Sequence, residues 1–457
     1  MSAPSRAAGP AAAPVRLAHL GLGNFFRAHQ AWYTDRAPDA DQWGIAAFGG
    51  RGAEPASALA AQDGLFTLLT RGPDTDSFEL IASISRSHAA GDHDAWLDLA
   101  RRSELTAITL TVTEAGYLRR PDGGLDDARP AVQADIDALR RDRTGAVRTA
   151  PARLVAALAA RRAADAGPLA IVPCDNLPDN GAVVGRVTLE LADAVDPDLA
   201  GWIAASVSFV PTMVDRITPR TQPVDLDTVR VATGVADRCP VVTEPFSEWV
   251  LCGAFPCGRP AWEEAGARFV DNLVPHEQRK LWLLNGAHSL LAYAGSIRGH
   301  VSVAAAIADP ACLNWVREWW DEAGRHLALP ADELAGYRIA LLDRWDNPRI
   351  EHLLSQIAAD GSQKLPVRIV PVIRLERAAG RLPAGAARVL GAWVAHVRGL
   401  GVPLADVRTE RLAQLESGPL PDATRRLLGI LDPTLPDDDV FATAVTACAA
   451  EFESVGT

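Results

Sequence analysis

Lysine is almost absent from this chain: among its 45 Lys+Arg residues, only Lys280 and Lys364 are lysines. Arginine stays protonated at any usable pH, whereas a buried lysine can be tuned to titrate near neutrality. An amine kept at position 280 therefore reads as a titrating group. The six cysteines (174, 239, 252, 257, 312 and 448) form no C-x-x-C pair and have no histidine at zinc-ligand spacing, so neither a disulfide framework nor a metal site is expected. None of the four tyrosines has a lysine four positions on, which excludes a Tyr/Lys catalytic base. No apolar run reaches the roughly 18 residues of a membrane helix, and residues 1–14 lack the apolar core of a secretory signal. A cytoplasmic chain with no membrane partner is expected, its residues 1–14 a disordered tail. The net charge of −12, with no polybasic stripe, argues against nucleic acid as a partner.

At 457 residues and 48% hydrophobic, the chain is long enough for two or three domains with large cores. Residues 15–20 read as a strand running straight into Gly21-Leu22-Gly23, after which a helix starts. Strand, glycine turn and helix together place a pyrophosphate on free N–H groups at a helix N-terminus. Phe26 stands where the third glycine of that fingerprint belongs. A second strand, 43–48, ends in Gly49-Gly50-Arg51 with no acidic residue for a ribose hydroxyl. Arg51 suits a 2′-phosphate, which keeps NADP open beside NAD, although a solvated loop arginine is the better account of it. A β-ribbon is expected over 66–69 and 78–84, a helix over 93–102 and a buried strand over 107–113. A helix over 150–162, a strand over 169–172 and a helix over 184–194 follow. Short strands are expected near 229–232 and 241–244, with 246–251 also extended. Beyond Pro275 the texture is Leu/Ala/Arg-rich at helical spacing, predicting helices over 275–295, 301–327, 331–342, 349–359, 383–400, 407–416, 421–431 and 438–454. The fold class is therefore α/β: a Rossmann-type domain over 15–274 and an all-α domain over 275–457.

Lys280 lies in Glu277-Gln-Arg-Lys280-Leu-Trp-Leu-Leu-Asn285-Gly-Ala-His288. An ordinary amphipathic helix pairing Lys280 with Glu277 accounts for these letters. A dinucleotide site beside a tunable amine accounts for them differently. Lys280 would take the hydroxyl proton of a secondary alcohol while the carbinol hydride leaves. Asn176 and Asn285 would donate to the oxygen that becomes a carbonyl. His288 would fix a neighbouring hydroxyl, and Glu277 would relay the proton to solvent. On a straight α-helix Lys280 and His288 are about 12 Å apart along the axis. Either the substrate spans them or the helix is irregular near Asn285-Gly286.

Val207-Ser-Phe209-Val-Pro-Thr212-Met-Val-Asp215-Arg216-Ile-Thr-Pro219 resembles the signature of the polyol-specific long-chain dehydrogenases, the mannitol dehydrogenase family. Further landmarks are similar and occur in the same order. They include Gly21-x-Gly23-x-Phe25-x-Arg27-Ala28-His29, Thr111-Val-Thr113-Glu114-x-Gly116-Tyr117 and Cys174-Asp-Asn176-Leu. Lys280-x4-Asn285-x2-His288 and Asp360-Gly-Ser-Gln-Lys364 complete the set. The resemblance implies an NAD-dependent, metal-independent dehydrogenase with Lys280 as base and Asn176, Asn285 and His288 at the substrate. It implies Glu277 as proton relay and Asp215, with the adjoining Arg216, in the substrate site. Gly21, Gly23, Phe25, Phe26, Arg27, Arg51, Thr113 and Glu114 are the expected cofactor residues. Lys364 and Arg368 would meet an anionic group on the substrate, or else are surface charges on a helix. Ala115 departs from the lysine common there in relatives, and Glu248 from a glutamine. D-mannitol/D-fructose is the first substrate expectation. Fructuronate or tagaturonate reduction, or mannitol-1-phosphate oxidation, is the alternative, and a non-catalytic NAD sensor is the reading from another class.

Overall fold

The computed structural model describes residues 2–7, 9–50, 54–350 and 352–455. The chain divides into two compact units, Met1–Leu273 and Val274–Thr457. The first unit contains β1 (Val15–Leu20), β2 (Gly44–Phe48), β3 (Phe66–Arg71), β4 (Asp76–Ile81), β5 (Ile84–His88) and β6 (Ala107–Leu110). It continues with β7 (Leu169–Pro173), β8 (Val207–Phe209), β9 (Thr212–Asp215), β10 (Val241–Thr243), β11 (Glu248–Leu251) and β12 (Arg268–Phe269).

Six of these strands form one sheet in the order β5-β2-β1-β6-β7-β8, with every neighbouring pair parallel. That is the doubly wound Rossmann order, and it reverses between β1 and β6. Side chains alternate across the sheet as strand geometry demands. Ala18 and Leu20 join a cluster with Trp96, Leu154 and Val184 on one face, while Leu17 joins Phe26, Tyr33 and Trp249 on the other. Burial on both faces explains why these strands read as continuous apolar runs. β3 and β4 form the expected ribbon, extended by β10 alongside β3. β9, β11 and β12 make a third small sheet.

Four expectations change. Residues 78–84 are not one strand: the chain bends at 82–83, and β5 enters the main sheet separately. Ala82 N–H on Asp35 Oδ1 (2.6 Å) and Ser83 Oγ on the Ala31 carbonyl (2.7 Å) hold that bend, and neither partner is local. Residues 229–232 are not a strand but part of helix Pro223–Thr233. Gln222 and Asp225 form a reciprocal capping box at its start, and Gly234 closes it in the left-handed region. Helices Pro130–Arg141, Pro197–Ser206 and Val370–Ala378 occupy stretches with no prediction; each has a proline at its first or second position, where proline favours helix entry. Finally, the segment expected to be a disordered tail is tied down. The Arg6 guanidinium donates to the carbonyls of Asp63 (2.8 Å), Ala82 (2.6 Å) and Ile84 (3.0 Å).

In the second unit the regular elements of the described residues are all helices. The expected helix 301–327 is two, Val303–Ile307 and Pro310–Gly324, because the Asp309 side chain caps the second by accepting from Ala311 N–H (2.9 Å). Among the described residues, no helix is long and apolar enough to cross a membrane.

Candidate functional site

A cleft of about 330 Å³ opens in the first unit where the strand order reverses, lined by Leu20, Gly21, Gly50, Thr111, Val112, Thr113, Gly116, Leu118, Arg148, Thr149, Ala150 and Arg153. Gly21 sits at φ +114°, and a methyl group there would lie 2.5 Å from the Thr111 carbonyl oxygen. Only glycine lets β1 turn this close to β6. Gly23 caps the helical segment that begins at Asn24 in extended conformation and without a side-chain cap. The first N–H groups of that helix therefore suit a phosphate, and the donor set fits a dinucleotide.

Of the expected cofactor residues, Gly21 and Thr113 line this cleft. Glu114 is exposed beside it, and the Phe25 ring stacks on His29 at 5.0 Å. Phe26 and Arg27 do not present their side chains to the cleft. Phe26 is wholly buried against the His19 ring at 3.5 Å. Arg27 donates to the carbonyls of Cys239 (2.5 Å) and Gly23 (3.3 Å) and to Asn24 Oδ1 (2.6 Å). Both brace the turn. Arg51 lies outside the described residues.

The loop after β7 carries Asn176, which is exposed. Its base is fixed by Asn180, whose amide donates to the Thr212 carbonyl (3.0 Å) and accepts from Thr212 N–H (2.9 Å), tying β7 to β9. Beside Asn176, Tyr117 donates to the buried Asp175 carboxylate. Burial pushes that carboxyl's pKa up, against the pull of Tyr117 and the Leu177 N–H. Asp215 ends β9 and is buried. Arg216, expected at the substrate, is committed elsewhere: it donates to the Ala28 (2.5 Å) and Glu244 (3.2 Å) carbonyls and lies over the Trp32 ring at 4.4 Å. Its role is to tie β9 to the helix after the glycine turn.

In the second unit the helix that starts at Val274 is not a regular α-helix. It passes through a π-helical turn at Lys280–Gly286, a short α segment at Ala287–Leu290 and a second π turn at Leu291–Gly295. An i→i+5 ladder brings residue i+5 over residue i, and within the first turn that pair is Lys280 and Asn285. On an α-helix they would diverge by about 140°. This is the irregularity the sequence left open.

Lys280 and His288 are each 8% exposed, Asn285 and Glu277 are half-buried, and Glu277 lies just before Lys280. The His288 ring packs on His352 (centroids 4.8 Å) and Trp345 (5.3 Å). Burial, then the charges of His352, Arg344, Arg368 and Lys280, hold the His288 pKa well below the usual imidazole value. His288 is therefore a neutral imidazole. Its Nε2 and the Asn285 Oδ1 are buried without a hydrogen-bond partner among the described residues, which a bound hydroxyl compound would relieve. Arg368 donates to the Asn285 carbonyl (3.3 Å) and to Ser289 Oγ (3.2 Å), so it belongs to this cluster; Lys364 donates to the Ile357 carbonyl (3.2 Å). The structure thus brings Lys280, Asn285, His288 and Arg368 together. Arg344, His352 and Trp345 also belong to the cluster, and nothing in their local sequence sets them apart.

The model of the mannitol dehydrogenase Rossmann domain matches residues 15–264, and that of the mannitol dehydrogenase C-terminal domain matches residues 272–417. The chain belongs to the mannitol dehydrogenase family. It is an oxidoreductase of this family of polyol and sugar-acid dehydrogenases. Escherichia coli D-mannonate oxidoreductase is 34% identical over 452 residues, spanning 94% of this chain and 92% of that protein. The uncharacterized E. coli oxidoreductase YeiQ is 34% identical over 448 residues, 94% and 90% of the two chains. Pseudomonas fluorescens mannitol 2-dehydrogenase, solved as a ternary complex with NAD and D-mannitol, superimposes with a TM-score of 0.83 at 35% identity over 97% of this chain and 93% of that one.

Proposed function

We propose that this member of the mannitol dehydrogenase family interconverts a secondary alcohol of a polyol with a ketose, using NAD and a lysine base, D-mannitol/D-fructose being the first pair to test. The observation that carries the reading is the π turn that sets Asn285 over Lys280 beside a neutral His288. NAD, when bound in the glycine-turn cleft, supplies the hydride acceptor. Lys280 Nζ takes the hydroxyl proton. The amide group of Asn285 donates to the oxygen as negative charge develops on it. His288 holds a neighbouring hydroxyl, and Glu277 passes the proton from Lys280 to water. No metal is needed in this scheme, because the amide and the amine together carry the charge.

The cations around His288 favour a second reading, in which the substrate is a sugar acid such as mannonate and its carboxylate meets Arg368 and Lys364. The deciding experiment is a substrate panel followed at the NADH absorbance band with D-fructose, D-fructuronate and D-tagaturonate, with NADH and NADPH in parallel. Oxidation of NADH by one of these supports the proposal. Silence across the panel, with NADH still bound, overturns it in favour of a sensor. For the second reading, Lys364→Met should raise KM for a uronate roughly tenfold, the value of one charge-assisted contact, and leave KM for a neutral ketose unchanged.

A further inference from the structure

A π turn is rare and intrinsically less stable than an α turn, so something must hold it. In an α-helix the carbonyls of Trp282 and Leu283 would receive the N–H groups of Gly286 and Ala287. Here Ala287 N–H goes to the Leu284 carbonyl. Two indoles from helix Pro310–Gly324 donate to these two carbonyls. Trp319 Nε1–H donates to the Trp282 carbonyl at 2.7 Å, and Trp320 Nε1–H to the Leu283 carbonyl at 2.8 Å. Both tryptophans are almost wholly buried, where a carbonyl without a donor is costly. Gly286 makes the approach possible, since a methyl group there would lie 2.7 Å from Trp319 Nε1 and 2.9 Å from its ring carbons. Trp320 also stacks on Trp345 at 5.6 Å, and Trp345 packs on His288.

We propose that Trp319 and Trp320 are positioning residues for the reaction, acting through the two indole N–H groups that hold the wide turn and so keep Asn285 over Lys280. The proposal rests on the reading of Lys280 as the base. Ordinary core filling would require only the bulk of the two rings. Directed N–H groups on two successive helical carbonyls, with a glycine clearing their path, do more than fill space.

Trp→Phe keeps an aromatic ring and deletes the N–H, so Trp319→Phe and Trp320→Phe separate the two roles. Each should lower kcat by about 10- to 100-fold, the scale of an ångström-level misplacement. KM and the NADH dissociation constant should stay within about twofold, and the pH profile of kcat/KM should shift. Trp315→Phe is the control: this residue of the same helix packs on Phe452 at 5.5 Å and should behave as the unmodified protein. Gly286→Ala carries the test if a Trp→Phe variant does not fold, and should give the same kcat-selective loss. Folded Trp319→Phe and Trp320→Phe variants with unchanged kcat and pH profile would overturn the proposal. So would a loss that fell equally on NADH binding and on Trp315→Phe, which marks a merely structural role. Full activity in Lys280→Met would instead remove the base on which the proposal rests, and that result is distinguishable from both.

Discussion

The two units place their chemistry on opposite kinds of backbone. In the first, the cleft lies at the ends of regular parallel strands, and its unusual backbone positions are Gly21 and Leu118, both at positive φ. In the second, the reactive side chains lie on a helix that is regular for only four residues between two π turns. A strand end can hold a cofactor through main-chain N–H groups that any sequence provides. A proton-transfer cluster needs particular side chains side by side, and a helix of 3.6 residues per turn does not bring positions 280 and 285 together.

The sharpest test of this contrast is Lys280→Met. Loss of a general base lowers kcat by about 10²- to 10⁴-fold, and NADH binding, measured by fluorescence titration, should be unchanged. A parallel loss of NADH affinity would break the division of labour. Gly21→Ala is the converse. Its methyl group meets the Thr111 carbonyl at 2.5 Å in a left-handed conformation, so stability should fall by more than about 1 kcal/mol. NADH affinity should fall with it, by about tenfold, while the pH dependence of the residual turnover stays that of the unmodified protein.

The gentlest test uses what the units share, a buried neutral histidine in each. His19 hydrogen-bonds Thr109 Oγ1 (2.8 Å) and Thr111 Oγ1 (3.0 Å), and burial lowers its pKa to about 3. His288 is lowered by burial and its cationic neighbours. In the unfolded chain both protonate near pH 6.5. Between that pH and the folded-state values the unfolded state binds more protons, so stability must fall as pH falls. Each such group contributes up to about 1.4 kcal/mol per pH unit in that window. Urea unfolding between pH 7 and pH 5 should therefore show a declining midpoint, and His288→Gln should flatten the decline. A decline that His288→Gln leaves unchanged would contradict the His288 assignment.

How far the sequence could be read follows the same division. β1, the glycine turn and the apolar strands β6 and β7 were legible because local patterning and burial agree there. Lys280 stood out through the scarcity of its residue type. The bend before β5 was hidden because Asp35 and Ala31, which hold it, lie 47 and 52 residues away. The π turn was hidden for the same reason, its indole donors being 37 residues distant. The inward bonds of Arg27 and Arg216 were hidden in another way. Their guanidinium groups serve main-chain carbonyls inside the fold, and a letter in a motif does not say whether a cation faces a ligand or the core.

The wide turn also has a consequence for changes of chain length. It holds one residue more than the α turn it replaces, so the helix beyond it is indexed one residue, about 100°, out of step with the helix before it. Deleting any one of residues 281–284 would make Asn285 the fourth residue after Lys280, which an ordinary α turn keeps on the same face, whereas inserting one residue there would swing Asn285 and His288 away from Lys280 while altering no reactive side chain. An insertion in this short stretch would therefore cost more turnover than a deletion.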